Sequence, residues 1–331
     1  MRKLLFFGLL FFLVCGLSLS FAEGQQDISQ YPSKDIKVII NAGAGGGTDT
    51  IMRKIISIAE KNLDVAVYPV NKPGAASASG PFEVMKSPAN GYTLGNLNYG
   101  SVINAVWEEL IAGYDLEKLE IFCMITQEAD AIMVPADSPY KTFDDFIAAA
   151  KANPGKIKVG DQGVGSRVYM HLIRLEEEFG VEFNKVQYVE GSGPQREAIL
   201  NGEIDAAITS LGDFTSLLTS GKARGLVEFS DSQNLTYTDV PPVTELGYSK
   251  DLMSGSFIML GVPADTPKPI VDKLESIFYE AHQSREFRDW LATIGVTATW
   301  MPNGEVDEFL ANVQKKEFTL LDRLKAEGAL D

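Results

Sequence analysis

The chain has 331 residues, 45% of them hydrophobic, with 29 basic side chains against 45 acidic ones and a formal net charge of −16. That length supplies ample core for two domains or one large α/β domain, and the acidity argues against nucleic acid or an anionic membrane as partner. It also disfavours long-range attraction of an anion, so anion recognition has to be local, inside a cleft, because exposed charges are screened within roughly 8–10 Å.

Residues 1–22 read as a secretory signal peptide. Met1-Arg2-Lys3 is a short basic start, Leu4 to Val14 is an apolar core, and Ser20-Phe21-Ala22 puts small residues at −3 and −1 of a cleavage site. The apolar core is shorter than the about 20 residues of a membrane helix, and Val14 is too large for the position before a lipidated Cys15. Cleavage after Ala22 gives an exported, periplasmic chain from Glu23 to Asp331, and losing Arg2 and Lys3 moves the net charge from −16 to −18. Cys123 then stands alone, so no internal disulfide forms and stability comes from packing.

Glu23 to Gln30 is polar and reads as a flexible leader. From Tyr31 onward strands and helices alternate. Ile36–Ile40 is a strand, followed by the glycine turn of Asn41 to Gly47 and a helix over Thr48–Lys61, where Ile51, Ile55, Ile56, Ile58 and Ala59 recur at helical spacing. Strands follow at Ala66–Val70, Thr93–Leu97, Ile121–Thr126 and Ala131–Val134, with helices around Ser79–Lys86 and Val102–Leu110. Thr142 caps the next helix, with Asp144 and Asp145 in its first turn and Asn153-Pro154-Gly155 as its stop. Ile157–Val159 runs into Gly160 to Ser166 and a helix to Phe179. Val186–Val189 runs into Glu190 to Pro194 and a helix to Asn201, capped by Ser192 or Gly193 with Pro194 at its start. Ala206–Thr209, Gly225–Phe229 and Ser256–Val262 are further strands, and helices start at Pro267, Arg285 and Val306. Short loops between alternating elements predict a mainly parallel sheet. Glycine loops at strand ends, two of them in a middle segment, fit two lobes facing a cleft.

The first glycine loop supports anion binding without a basic side chain: glycine lets the backbone approach a ligand, and first-turn amides have no intrahelical partner. It is not a P-loop, since Thr48-Asp49 replaces the Lys-Ser/Thr pair, and it is not a dinucleotide fingerprint. Asp49 is either a first-turn carboxylate that stabilises its helix or a ligand contact. His171 and His282 are the only histidines, His282 in a polar stretch and His171 among apolar residues. No serine elbow and no Cys/His set with metal spacing is present. A nucleophile–base set is therefore not assembled, and neither enzyme activity, metal nor cofactor is expected.

Together these segments resemble the substrate-binding proteins of tripartite tricarboxylate transporters, the periplasmic receptors called TctC or Bug proteins. The resemblance runs from Tyr31-Pro32-Ser33-Lys34 nearly to Asp331. Its marks are Ala44-Gly45-Gly46-Gly47-Thr48-Asp49, Asn71-Lys72-Pro73-Gly74-Ala75, Asn90-Gly91-Tyr92-Thr93-Leu94 and Gly163-Val164-Gly165-Ser166. Gly191-Ser192-Gly193-Pro194, Asn201-Gly202-Glu203-Ile204-Asp205, Gly221 to Leu226 and Asp239-Val240-Pro241-Pro242 follow in the same order.

The resemblance implies a two-lobed α/β periplasmic binding protein, type II-like, each lobe a mixed, mainly parallel sheet flanked by helices. Lobe 1 takes 31–130 and 256–331, and lobe 2 takes 131–255. It implies a monomeric receptor whose main-chain amides at Gly45–Asp49 and Gly163–Ser166 clamp a small organic acid or amino-acid-like solute, which is passed to large and small permease subunits. Docking on a membrane sensor kinase is the alternative. Ala44 belongs to the first loop, Val164 and Gly165 to the second. Arg167 pairs with a distal carboxylate or a neighbouring acid, and Tyr99 covers the ligand or packs in the core.

Three departures bear on the solute. Gly160-Asp161 stands where the family usually has Gly-Ser, Tyr169 where a histidine is common, and Glu190 where lysine is frequent. If Asp161, Glu190 and Asp49 line the cleft, a plain dianion meets repulsion, and the expected solute has one carboxylate and a hydrogen-bond-donating or cationic end. Otherwise Asp161 and Glu190 face solvent.

Overall fold

The computed structural model describes residues 30–330 apart from 190, 232, 235 and 297. The signal peptide, Cys15, most of the leader and Glu190 lie outside the described residues. In chain order the elements are β1 (Ile36–Ile40), α1 (Gly47–Ala59), β2 (Val67–Asn71), α2 (Ser79–Met85), β3 (Thr93–Leu97), α3 (Tyr99–Val102), α4 (Asn104–Trp107) and β4 (Leu119–Pro135). Then come α5 (Phe143–Ala152), β5 (Lys158–Asp161), α6 (Arg167–Phe179), β6 (Asn184–Gln187), α7 (Ser192–Asn201), β7 (Ala206–Ser210), α8 (Thr215–Thr219) and β8 (Ala223–Glu228). The tail supplies β9 (Gly255–Pro263), α9 (Lys268–Gln283), α10 (Arg285–Thr293), β10 (Met301–Pro302) and α11 (Glu305–Ala326).

The strands hydrogen-bond in the order β2-β1-β3-β9-β4-β7-β5-β6, with β8 and β10 also on β4. The outer pairs β1–β2, β1–β3, β5–β6 and β5–β7 are parallel. The middle is antiparallel: β9 lies between β3 and β4, and β7, β8 and β10 flank β4. A mainly parallel reading is thus right for each wing and misses the centre, where the chain returns to the first half. One apolar cluster joins β1, α1, α9 and α10, and another joins α2, α3 and α11 on the opposite face of that half-sheet. The second half has its own two clusters, one under α5 and α6 and one under α7 and α8.

The expected strands Ile121–Thr126 and Ala131–Val134 are one 17-residue strand, β4. From Ile121 to Val134 its burial runs continuously except at Gln127, Glu128 and Ala129, which are half-buried. There the strand leaves one core and enters the other, so a polar gap marks a crossing rather than an end. Just past it, Asp130 is fully buried and forms an ion pair with Arg167, the first residue of α6. Its other oxygen accepts from Ser254 Oγ at 2.6 Å, immediately before β9. One carboxylate therefore ties the outgoing strand, the start of α6 and the returning chain. α6 itself bridges the halves, burying Val168, Leu172 and Leu175 in the second and Tyr169 and Met170 against the first.

Carboxylates also brace the strand-end loops. Asp49 is 3% exposed and accepts from Gly45 N at 2.8 Å, Arg53 Nε at 2.9 Å and Asn71 Nδ2 at 2.7 Å. Burial alone would raise its pKa, but these bonds outweigh it and hold the group below the ordinary aspartate value. Asp161, at the end of β5, is fully buried and accepts from Gly163 N at 2.6 Å, while its Oδ2 has no partner among the described residues. Burial pushes its pKa up to about 6, against the pull of the Gly163 amide and Lys185.

Two outcomes follow from these buried acids. Asp130→Ala leaves Arg167 without its partner and is expected to lower the unfolding free energy by about 3–5 kcal/mol, measured by urea denaturation; a loss below 1 kcal/mol would show the pair to be unimportant. For Asp161 the folded pKa of about 6 lies above the reference 3.8, so the folded chain holds the proton more tightly. The cost of ionising it grows as pH rises through that window and is complete above it. Asp161→Asn keeps the acceptor for Gly163 and removes the charge, so its melting temperature is expected to exceed wild type at pH 8 and match it at pH 4.

Candidate functional site

Between the halves lies a cavity of about 440 Å³. Its floor is the crossing itself, through Thr126 and Glu128 of β4 and Ser256 and Ile258 of β9. One wall is Gly45, Gly47 and Thr48 at the start of α1, and the other is Gln162, Arg167, Ser210 and Asp213 from the second half. The wall residues sit at strand ends or strand-to-helix turns, where open α/β sheets bind ligands.

The α1 wall presents free main-chain donors. Gly46 is the N-cap and supplies no side-chain hydrogen bond, so no side chain from that position caps the amides of Gly47, Thr48 and Asp49, which also lack intrahelical partners. The Asp49 carboxylate turns back to the Gly45 amide instead. Gly45 has φ +83°, a conformation that only glycine adopts cheaply, and this lets the loop fold back under Asp49. The macrodipole of this 13-residue helix adds partial positive charge at the same place.

The opposite wall is acidic. Glu128 Oε1 accepts from Gly212 N at 3.1 Å, and Asp213 Oδ2 accepts from Thr209 Oγ1 at 2.7 Å. Burial, and then the nearby Asp213 charge, push the Glu128 pKa up to about 8, although Arg167 pulls it down. Arg167 is occupied by Asp130 and reaches Ser210 Oγ at 3.3 Å.

Of the residues singled out in the sequence, Gly45, Gly47, Thr48 and Arg167 line this cavity. Ala44 and Gly46 are exposed in the same loop. Asp49 and Asp161 are buried and bonded within their own loops, which corrects the reading of Asp161 as facing solvent. The second loop, Gly163–Ser166, is not among the residues lining this cavity, although Gln162 and Arg167 on either side of it are. Val164 and Gly165 border a different hollow, of about 760 Å³, beside Trp107 and Leu330, and Asn104 Nδ2 donates to Gly165 O at 2.8 Å. Ser166 Oγ accepts from Tyr169 N at 3.2 Å, and Gly163 N donates to Asp161 Oδ1. Tyr99 and Tyr169 are buried in the first half's core, Tyr99 donating to Glu317 Oε2 at 3.1 Å. His282 is not solvated: it is 1% exposed and its Nε2 lies 3.1 Å from Ile125 O. No group of three metal-ligating side chains occurs among the described residues.

Sequence reasoning missed Glu128, Asp213, Gln162 and Ser210. Glu128 sits in the polar gap of β4, and Ser210 and Asp213 follow the end of an apolar strand. Both signals were visible as irregularities, but only the tertiary fold brings them together.

The family model described as "Tripartite tricarboxylate transporter family receptor" matches residues 51–325. A Cupriavidus necator protein described as "UPF0065 protein in gbd 5'region" is 30% identical over 317 residues, covering 93% of this chain and 92% of the relative. The crystal structure of a TctC solute-binding protein from Polaromonas, without ligand, superposes with a TM-score of 0.79 at 26% identity, covering 89% of this chain and 100% of that one. A Rhodopseudomonas palustris protein with bound malate has a TM-score of 0.66 at 23% identity, covering 87% and 98%, a likeness of fold. Family and neighbours are solute-binding proteins, not enzymes. The chain belongs to the tripartite tricarboxylate transporter receptor family of periplasmic solute-binding proteins.

Proposed function

We propose that this chain captures a small organic acid in the interlobe cavity and delivers it to the membrane subunits of a tripartite secondary transporter. The observation that carries this reading is the α1 terminus, whose N-cap contributes no side-chain bond and which lines the hollow between the two halves. A carboxylate there accepts from the amides of Gly47 and Thr48 and meets the positive end of the helix dipole. The malate held by the Rhodopseudomonas palustris protein supports an acid as solute.

In this reading the lobes are 31–130 with 256–331, and 131–255, and they close about the β4 crossing. Closure expels water and strengthens each contact. Two or three charge-assisted hydrogen bonds at about 1.5–3 kcal/mol each approach the roughly 8 kcal/mol of a micromolar complex, and contacts from the far wall supply the remainder. The receptor works as a monomer in the periplasm after cleavage behind Ala22.

Mass spectrometry of solute released from the purified mature chain would identify the acid, and calorimetry with that acid tests the grip. Gly47→Pro removes one amide donor without disturbing the fold. Proline fits the first helical position, Gly46 already has the extended φ −75°, ψ 170° that precedes a proline comfortably, and a Cβ at 47 meets nothing within 4 Å. The expected result is an unchanged melting temperature with affinity lowered about 10- to 100-fold. Unchanged affinity would show that α1 is not the grip.

A further inference from the structure

We infer that the cavity selects a solute with a carboxylate at one end and an ammonium-like cation at the other, and that Glu128 and Asp213 are its specificity-determining residues. This rests on reading the cavity as the solute site and names the class of solute that the site takes.

Both acids stand on the wall of the same hollow that α1 lines. Each has one oxygen held by the protein, Glu128 by the Gly212 amide and Asp213 by the Thr209 hydroxyl. Among the described residues no hydrogen-bond donor reaches the other oxygen of either. The charged groups that act on Glu128 are Asp213 after β7, Glu228 at the end of β8 and Arg167 at the start of α6. Arg167 is the single cation in that set, and it is already matched by buried Asp130. The second-half wall is therefore short of positive charge, while the α1 wall is short of negative charge. A solute with opposite charges at its two ends satisfies both.

A dicarboxylate does not. Its second carboxylate would enter a region that already carries Glu128, Asp213 and Glu228. The same imbalance raises the pKa of Glu128 without ligand: burial and the Asp213 charge oppose its ionisation, which a bound cation favours. Cation binding would therefore release the proton and make affinity rise with pH until Glu128 is ionised without help. The acids that do this are not Asp161 and Asp49, which are committed inside their loops.

Matched pairs that differ only in one terminal group provide the test: succinate with β-alanine, glutarate with 4-aminobutyrate, adipate with 5-aminopentanoate. Calorimetry on the ligand-stripped mature chain is expected to find an amino acid that binds about tenfold or more tightly than its diacid partner. Its affinity should increase from pH 6 to pH 8. The double variant Glu128→Gln, Asp213→Asn keeps both acceptors for Gly212 and Thr209, so it folds, and it should lose both the preference and the pH dependence. Preference for the diacids in wild type, or an amino-acid preference that survives in the double variant, overturns this inference and leaves organic-acid capture standing. Binding of neither series overturns the reading of the cavity as an organic-acid site, and this inference with it.

Discussion

The buried pair of Asp130 and Arg167 governs how the two halves of this molecule meet. Asp130 is fully buried on the strand that crosses between the cores, and Arg167 opens the helix that packs against both. Two charges taken out of water hold each other only at close range and with their remaining valences satisfied. Here Ser254 supplies the second donor to Asp130. The pair thereby fixes the relative position of β4, α6 and the chain entering β9. It also decides the electrostatics of the cavity. Arg167 serves Asp130 and also acts on Glu128 and Asp213, so one cation is shared among three acids, and in the proposed reading that shortage is what a cationic solute end meets.

The two strand–glycine–helix junctions look equivalent and behave oppositely. At α6 the N-cap is Ser166, whose hydroxyl takes the Tyr169 amide, and the preceding loop is held by Asp161 through Gly163. At α1 the N-cap is Gly46, which has no side chain to offer. The glycine cap leaves the first-turn amides of α1 without a side-chain partner, whereas the serine cap takes one amide of α6.

Much of the fold was legible because local chemistry and tertiary role agreed. β1 and β3 match their sequence-based bounds; β1 is an apolar run closed by a glycine turn, and β3 follows the Asn90-Gly91 turn. The α5 start was equally plain: Thr142 and Asp145 cap each other in the structure, as their spacing requires. Agreement failed where a residue's partner is distant in sequence. Gln127 to Ala129 read as a break because polar residues usually end strands, yet there they mark a passage between cores. His282 has polar neighbours in sequence, but its position puts it on the inward face of α9 with Ala281 and Phe278. Asp161 looked like a cleft residue because its substitution departs from a resemblance, while its carboxylate folds back on its own loop. Glu128 lies on β4 and Asp213 in the turn after β7, and no local pattern joins them.

The acidity of the chain bears on the same point from the outside. At a net charge of −16 a dianion approaches against the field of the whole protein, though screening confines most of that repulsion to the last 8–10 Å or so. A zwitterion carries no net charge and feels little of it until its ends separate the two walls of the cavity. There the low dielectric makes each contact stronger than in water, and orientation follows from polarity: acid toward the α1 amides, cation toward Glu128 and Asp213. A receptor built in this way does not gather its solute by long-range attraction. It sorts solutes at the moment of closure, when the two walls are brought to the separation of the two charges.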